Sequence, residues 1–155
     1  MLKQVQHDEI QEHRATVTET ASLTHHASCR CGEIRIACSG EPIRVSVCHC
    51  RECKARSGSA FAAQVRFAAE QVRIEGEANA RMWQYTGESG HTADFFFCGT
   101  CGSGVWYRAR PYHDAFAIPL GNFAPGHGFV PNYSVYEDRM EPWVSISGEA
   151  IEHHD

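Results

Sequence analysis

Eight cysteines constrain this 155-residue chain more than any other feature of its sequence. Seven of them fall into three short groups that lie far apart along the chain: Cys29-x-Cys31, Cys48-x-Cys50-x-x-Cys53 and Cys98-x-x-Cys101. The eighth, Cys38, stands alone. The N-terminal residues carry no apolar run of the kind that marks a secretory signal, so we expect a cytoplasmic protein. In that reducing environment, paired cysteines hold metal more often than they form disulfides.

The composition excludes several classes of protein. Hydrophobic residues make up 43% of the chain and charged residues 21%, which are ordinary values for one globular domain with a buried core. The chain has no run of about 18 apolar residues, so we expect no membrane-spanning helix. The net charge of −5 argues against a nucleic-acid partner, whose electrostatic footprint on the protein would be basic.

The pattern of polar and apolar residues along the chain predicts two regions. Residues 1–22 are polar and mixed in charge, and we expect a flexible N-terminal extension there. Residues 23–155 form one domain, in which short alternating apolar runs between glycine and proline turns predict a mainly β fold of short antiparallel strands. The predicted strands, of which the first two form a hairpin, cover residues 33–38, 43–47, 60–67, 71–74, 81–85, 92–97, 104–107, 115–118, 133–136 and 144–146. A short helix is predicted at residues 51–56.

The cysteine spacing favours metal over other uses of the thiols. A structural zinc site is tetrahedral, so two short pairs that folding brings together satisfy it. The segment Cys98-Gly99-Thr100-Cys101-Gly102 is typical of a zinc-knuckle turn, in which glycines let the backbone curl so that both sulfurs converge. Metal shared by two distant pairs also closes a long loop. Disulfides are the alternative for these pairs.

Seven cysteines divide into a set of four and a set of three. The set of four combines the first and third groups: Cys29, Cys31, Cys98 and Cys101. Cys48, Cys50 and Cys53 then form a site with an open fourth position, which is the layout of a catalytic zinc. Two alternatives stay open for these three: redox-active or simply buried thiols, or a closed site completed by Cys38 or His49. Packing roles are favoured for both of those residues, because Cys38 ends an alternating strand and His49 points away from its neighbours on an extended chain.

Three segments together resemble a known family: Cys29-Arg30-Cys31-Gly32, then Cys48-His49-Cys50-Arg51-Glu52-Cys53 with Arg56-Ser57-Gly58-Ser59-Ala60-Phe61, then Cys98-Gly99-Thr100-Cys101-Gly102-Ser103. They are similar to the glutathione-dependent formaldehyde-activating enzyme (GFA) family, also called the CENP-V/GFA domain. Pro142-Trp143-Val144 resembles the closing strand of that domain, so the resemblance covers residues 24–150.

The resemblance implies a β-tent fold and two Zn²⁺ ions per chain. It implies a structural zinc on the set of four cysteines and a catalytic zinc on Cys48, Cys50 and Cys53. It also implies a carbon–sulfur lyase similar to S-(hydroxymethyl)glutathione synthase, whose partner is a small-molecule thiol such as glutathione and whose aldehyde is formaldehyde. The competing hypothesis is a β-tent module without catalysis, which binds a partner or handles zinc.

The chemistry of the set of three fits a thiol substrate, because zinc on three thiolates can accept a fourth and lower the pKa of an incoming thiol. Three neighbouring cations either contact a negatively charged thiol or are solvated surface charges: Arg51, Lys54 and Arg56. Three aromatic residues either wall a pocket or fill the core: Phe61, Trp106 and Trp143. Thiol-dependent turnover would separate the enzyme from the module.

Overall fold

The computed structural model describes residues 23–110 and 114–155, so the extension predicted at residues 1–22 lies outside the described residues. Two sheets make up the described part of the chain. The smaller sheet has the strand order β1-β2-β5 and consists of β1 (Thr24–Ser28), β2 (Arg35–Ser39) and β5 (Val72–Glu75). The larger sheet has the order β11-β10-β3-β4-β9-β8-β7-β6. Its strands are β3 (Arg44–Cys48), β4 (Ala62–Ala68), β6 (Ala80–Thr86), β7 (Thr92–Cys98), β8 (Gly104–Ala109), β9 (Ala115–Pro119), β10 (Tyr133–Val135) and β11 (Glu152–His154). The prediction of a mainly β fold is confirmed.

One α-helix, α1 (Arg51–Ser57), connects β3 to β4, where the sequence predicted it. Cys50 caps its start, and the backbone N–H of Cys53 donates a hydrogen bond of 3.4 Å to the Cys50 sulfur. Gly58 ends the helix in the left-handed conformation, with φ of 61°, which glycine adopts without steric cost. The local sequence therefore fixes a helix of two turns that begins three residues after the end of β3. The other helical segments within residues 23–110 and 114–155 are single 3₁₀ turns at Ala69–Gln71, Glu77–Asn79, Leu120–Asn122 and Glu137–Arg139.

The core lies between the two sheets, because each sheet turns alternate apolar side chains towards the other. Ile36 from the smaller sheet and Phe67, Val65 and Ile118 from the larger sheet are fully buried and belong to one contiguous cluster. Phe67 packs edge-on against Phe129, with ring centroids 6.0 Å apart. This core holds the two sheets against one another and so fixes the positions of the strand ends that carry cysteines.

Three expectations about strand pairing and position were wrong or incomplete. The predicted hairpin of residues 33–38 and 43–47 does not form, because β2 pairs with β1 and β5 while β3 pairs with β4 and β10. Alternation shows which face of a strand is buried and leaves its partner open. Residues 144–146 form no strand, and β1 and β11 had not been predicted. The strand pairs that β10 makes with β3 and β11 are parallel, whereas the other named pairs are antiparallel.

In the described ranges, no helix is long and apolar enough to cross a membrane.

Two candidate metal centres

The structure brings together two cysteine pairs that lie far apart in the sequence. We call the result the four-thiol cluster: Cys29, Cys31, Cys98 and Cys101. Their sulfurs all lie within 4.8 Å of one another. The Cys31 sulfur is 3.4 Å from that of Cys29 and 3.6 Å from that of Cys98. Zn–S bonds of about 2.3 Å in a tetrahedron place the sulfurs about 3.8 Å apart. The donor set and its spacing therefore fit a metal ion held by four thiolates.

Two tight turns build the four-thiol cluster. Cys29 and Cys31 lie in a turn between β1 and β2, where the N–H of Gly32 donates to the Cys29 carbonyl at 3.1 Å. This turn, rather than an extended strand, brings the two sulfurs together. Cys98 ends β7, and at Gly99 a β-carbon would lie 2.8 Å from the Asn79 carbonyl oxygen, so the turn has room only for glycine.

Opposite pKa shifts within the four-thiol cluster show that its thiols compete for negative charge. Hydrogen bonds from the side chain and backbone of Ser103 lower the pKa of the Cys101 thiol to about 5. The backbone N–H of Glu33 favours the Cys31 thiolate, but desolvation and the neighbouring thiols outweigh it and raise the pKa of Cys31 to about 12. Because a bound cation favours all the thiolates together, this arrangement suits a metal ion.

The second group, the three-thiol cluster, comprises Cys48, Cys50 and Cys53, whose sulfurs also lie within 4.8 Å of one another. Cys48 is the last residue of β3, Cys50 caps α1 and Cys53 lies one turn into the helix. The change from strand to helix thus turns three sulfurs towards one point. Both clusters could hold a metal ion, and the donor set here supplies three ligands.

Neither Cys38 nor His49 belongs to either cysteine cluster within the described residues. Cys38 lies on β2, fully buried, and burial raises the pKa of its thiol to about 12. His49 is also fully buried, with its Nε2 3.4 Å from the Ser134 hydroxyl and its ring 5.9 Å from that of Phe61. Both residues therefore have the packing positions that the sequence favoured.

Within the three-thiol cluster, Cys53 is the thiol that most readily becomes a negatively charged thiolate. A hydrogen bond from the Cys48 thiol, together with the nearby Arg56 guanidinium, lowers the pKa of Cys53 to about 6. The same hydrogen bond and burial raise the pKa of Cys48. At neutral pH one thiolate thus forms readily, beside a side chain of opposite charge.

A cavity of about 390 Å³, here called the polar cavity, adjoins the three-thiol cluster at Cys50. Its lining includes Arg51, Glu52, Tyr85, Tyr136 and Arg139. Tyr136 follows β10 and has φ of 59°, a left-handed conformation that is uncommon for a residue with a side chain. Such strain is often found at functional sites. The three-thiol cluster is therefore open to a cavity that offers cations, carboxylates and hydroxyl groups.

The three cations named from the sequence have different surroundings. Arg51 lines the polar cavity. Lys54 is engaged elsewhere, because its ammonium lies 2.6 Å from a Glu141 carboxylate oxygen. Arg56 lies over the rings of Phe95 and Tyr107, at 5.4 and 5.2 Å from their centroids.

Of the three aromatic residues, Trp106 is buried and stacks on Phe96 with centroids 4.7 Å apart, while Phe61 packs against His49. Trp143 is 76% exposed. The sequence had not singled out Tyr85, Tyr136 and Arg139, because they reach the cysteines from β6 and from the chain after β10, far along the sequence. No local pattern marks them.

Comparison with known proteins identifies the family. A crystal structure of a Rhodobacter sphaeroides protein matches with a TM-score of 0.52 and 21% sequence identity, over 65% of this chain and 88% of that chain, which shows a shared fold. No protein with curated annotation matches the chain. The model of the glutathione-dependent formaldehyde-activating enzyme family matches residues 24–139, which leaves out the segment that resembled a closing strand at residues 142–144. This chain belongs to the glutathione-dependent formaldehyde-activating enzyme family.

Proposed function

We propose that this protein is a zinc-dependent carbon–sulfur lyase that forms and cleaves adducts between a glutathione-like thiol and an aldehyde such as formaldehyde. The observation that carries the proposal is the difference between the two clusters. The four-thiol cluster has a full set of ligands, whereas the three-thiol cluster has one ligand fewer and adjoins the polar cavity. Under this proposal residues 23–155 form the catalytic domain, with two zinc ions, and residues 1–22 are a flexible extension outside it.

The four-thiol cluster has a structural role in this proposal. It joins the turn before β2 to the turn after β7, and so links the smaller sheet to the larger one. A metal ion bound there contributes its binding energy to folding.

The reaction is the addition of a thiol to a carbonyl group. Cys48, Cys50 and Cys53 would hold a zinc ion, and its fourth position would lower the pKa of an incoming thiol. The sulfur bonds to the carbonyl carbon, the π electron pair of the C=O bond moves to the oxygen, and the proton from the thiol ends on that oxygen. The reverse reaction releases both reactants. No oxidant or reductant is required.

The side chains of the polar cavity suit these steps. Arg51 offers positive charge to a carboxylate of a glutathione-like thiol, and Glu52 offers negative charge to its ammonium group. Arg139 and Glu88 form an ion pair at 3.6 Å in the same lining. Desolvation and a hydrogen bond with Glu52 raise the pKa of Tyr85, so its hydroxyl stays protonated at neutral pH. Tyr85 is therefore suited to donate a hydrogen bond to the carbonyl oxygen as negative charge develops there, while the proton that the oxygen gains is the one lost by the thiol.

Exchange spectroscopy by NMR tests this function directly, because it measures the rate at which formaldehyde enters and leaves the glutathione adduct. Zinc-loaded protein should accelerate that exchange. Cys50→Ser should abolish the acceleration, whereas Cys38→Ala, which removes a cysteine outside both clusters, should retain it. Exchange at the uncatalysed rate with the zinc-loaded protein would contradict the proposal and favour the non-catalytic zinc module.

A further inference from the structure

A second cavity, of about 280 Å³, shares one lining residue, Phe95, with the polar cavity. We call it the aromatic cavity, and its lining includes Arg56, Trp83, Phe95, Phe97 and Pro119. Helix α1 contributes to both linings. Residues at the start of α1 line the polar cavity, and Arg56, near the end of α1, lines the aromatic cavity. Since a helix rises about 1.5 Å per residue, the two cavities flank a segment only about 10 Å long. That segment includes Cys53.

The aromatic wall is built by strand register. Trp83 on β6 lies opposite Phe95 on β7, and Phe97 lies two residues further along, so all three side chains share one face of the sheet. The rings of Trp83 and Phe95 are 6.2 Å apart. Trp83 is 56% exposed and Phe97 38% exposed, so part of this apolar surface is free to contact a ligand.

Arg56 connects the aromatic cavity to the three-thiol cluster. It follows Cys53 by three residues on α1, so the two side chains share one helix face, and its guanidinium lies over the ring of Phe95. Helix α1 therefore connects the three-thiol cluster to both cavities, because Cys50 lines the polar cavity and Arg56 lines the aromatic cavity.

The two cavities differ in the charged side chains that line them: Arg51, Glu52, Glu88 and Arg139 in the polar cavity and, among the described residues, Arg56 alone in the aromatic cavity. Charged side chains in the polar cavity suit the charged body of the thiol. The formaldehyde adduct adds only a hydroxymethyl group to that thiol, which would leave the aromatic cavity empty. An apolar cavity of about 150 Å³ is enough to bind benzene, so the aromatic cavity has room for a phenyl ring.

We propose that the aldehyde substrate is a larger apolar one, of the aromatic class represented by benzaldehyde, whose ring binds against Trp83, Phe95 and Phe97. This inference rests on the proposed lyase function and names its aldehyde class. The balance of the reaction is unchanged, because the phenyl group takes the place of one hydrogen of formaldehyde and does not take part in bond making.

The test uses equilibrium binding of two thiols to the zinc-loaded full chain by isothermal titration calorimetry. Benzyl mercaptan reproduces the sulfur and the ring of the benzaldehyde adduct, and 2-mercaptoethanol lacks the ring. We expect benzyl mercaptan to bind about tenfold more tightly than 2-mercaptoethanol. This factor lies at the low end of the range of affinity gains that contacts in an apolar pocket produce. Trp83→Ala should remove most of this preference. Trp143→Ala, a matched tryptophan outside the lining of both cavities, should keep it.

Each outcome has a separate meaning. Equal binding of the two thiols, or a preference for benzyl mercaptan that Trp83→Ala leaves intact, would overturn this inference and leave the proposed lyase standing. Failure of both thiols to bind would overturn the lyase proposal, and this inference with it.

In turnover with glutathione, wild type should have a higher kcat/KM for benzaldehyde than for formaldehyde, and Trp83→Ala should lower the benzaldehyde value selectively. Activity confined to formaldehyde would also overturn the inference.

Discussion

Replacing Cys31 with serine should destabilise the protein far more than its position suggests. Cys31 is exposed, and substitutions at exposed positions without a special role usually change the free energy of unfolding by less than about 0.5 kcal/mol. In the four-thiol cluster, however, Cys31 lies beside Cys98, 67 residues away in sequence. Loss of a metal that closes a loop of this length removes about 4 kcal/mol of loop-closure free energy. This is a large share of the roughly 5–15 kcal/mol that stabilises a typical domain.

The assay is thermal unfolding by circular dichroism, together with zinc analysis of the same sample. A loss of about 4 kcal/mol should lower the Tm by roughly 8–16 °C in a domain of this size. The variant should contain one zinc fewer than the wild type. Cys38→Ala is the matched control, because that thiol lies outside both clusters and its replacement should leave the zinc content unchanged. A Cys31→Ser protein with wild-type zinc content and a Tm within about 2 °C of wild type would refute the structural role of the cluster.

Two further predictions concern parts of the chain outside the clusters. Deleting residues 1–22 should leave the zinc content and the Tm unchanged; loss of soluble protein would show that the extension packs on the domain. A hydrogen bond from Ser134 and contact with His153 lower the pKa of Glu137 in the folded protein. Its carboxylate therefore stabilises the fold at pH values above 4.5, the pKa of the carboxyl group in the unfolded chain. This stabilisation is lost as the pH falls through the lower pKa of the folded state. The difference in unfolding free energy between wild type and Glu137→Gln, measured in urea, should therefore shrink as the pH falls below about 4.5; a difference that acid does not reduce would contradict this.

The sequence reveals the local part of this structure well. Short spacing within each cysteine group keeps the sulfurs of that group close together, and α1 forms where the sequence predicted a short helix. Alternation located most strands, because a half-buried strand has a period of two residues. The mainly β class follows from those strands.

The non-local part could not be predicted in the same way. The connection from Ser39 to Arg44 passes from one sheet to the other, and alternation contains no information about that crossing. The polar cavity depends on Tyr85 and Tyr136, which long-range strand pairing brings to Cys50. The left-handed backbone at Tyr136 is likewise imposed by its surroundings, since tyrosine does not favour it.

The central claim is that the three-thiol cluster holds a zinc ion with an exchangeable fourth position, and X-ray absorption at the zinc edge tests it most directly. With four sulfurs at one site and three at the other, the account predicts an average of about 3.5 sulfur ligands per zinc before thiol is added and about 4 afterwards. Cys50→Ser, which should keep only the zinc of the four-thiol cluster, should show about 4 sulfurs per zinc and no response to thiol. An average of about 4 sulfurs in wild type before any thiol is added, unchanged afterwards, would contradict the open site and the lyase chemistry built on it.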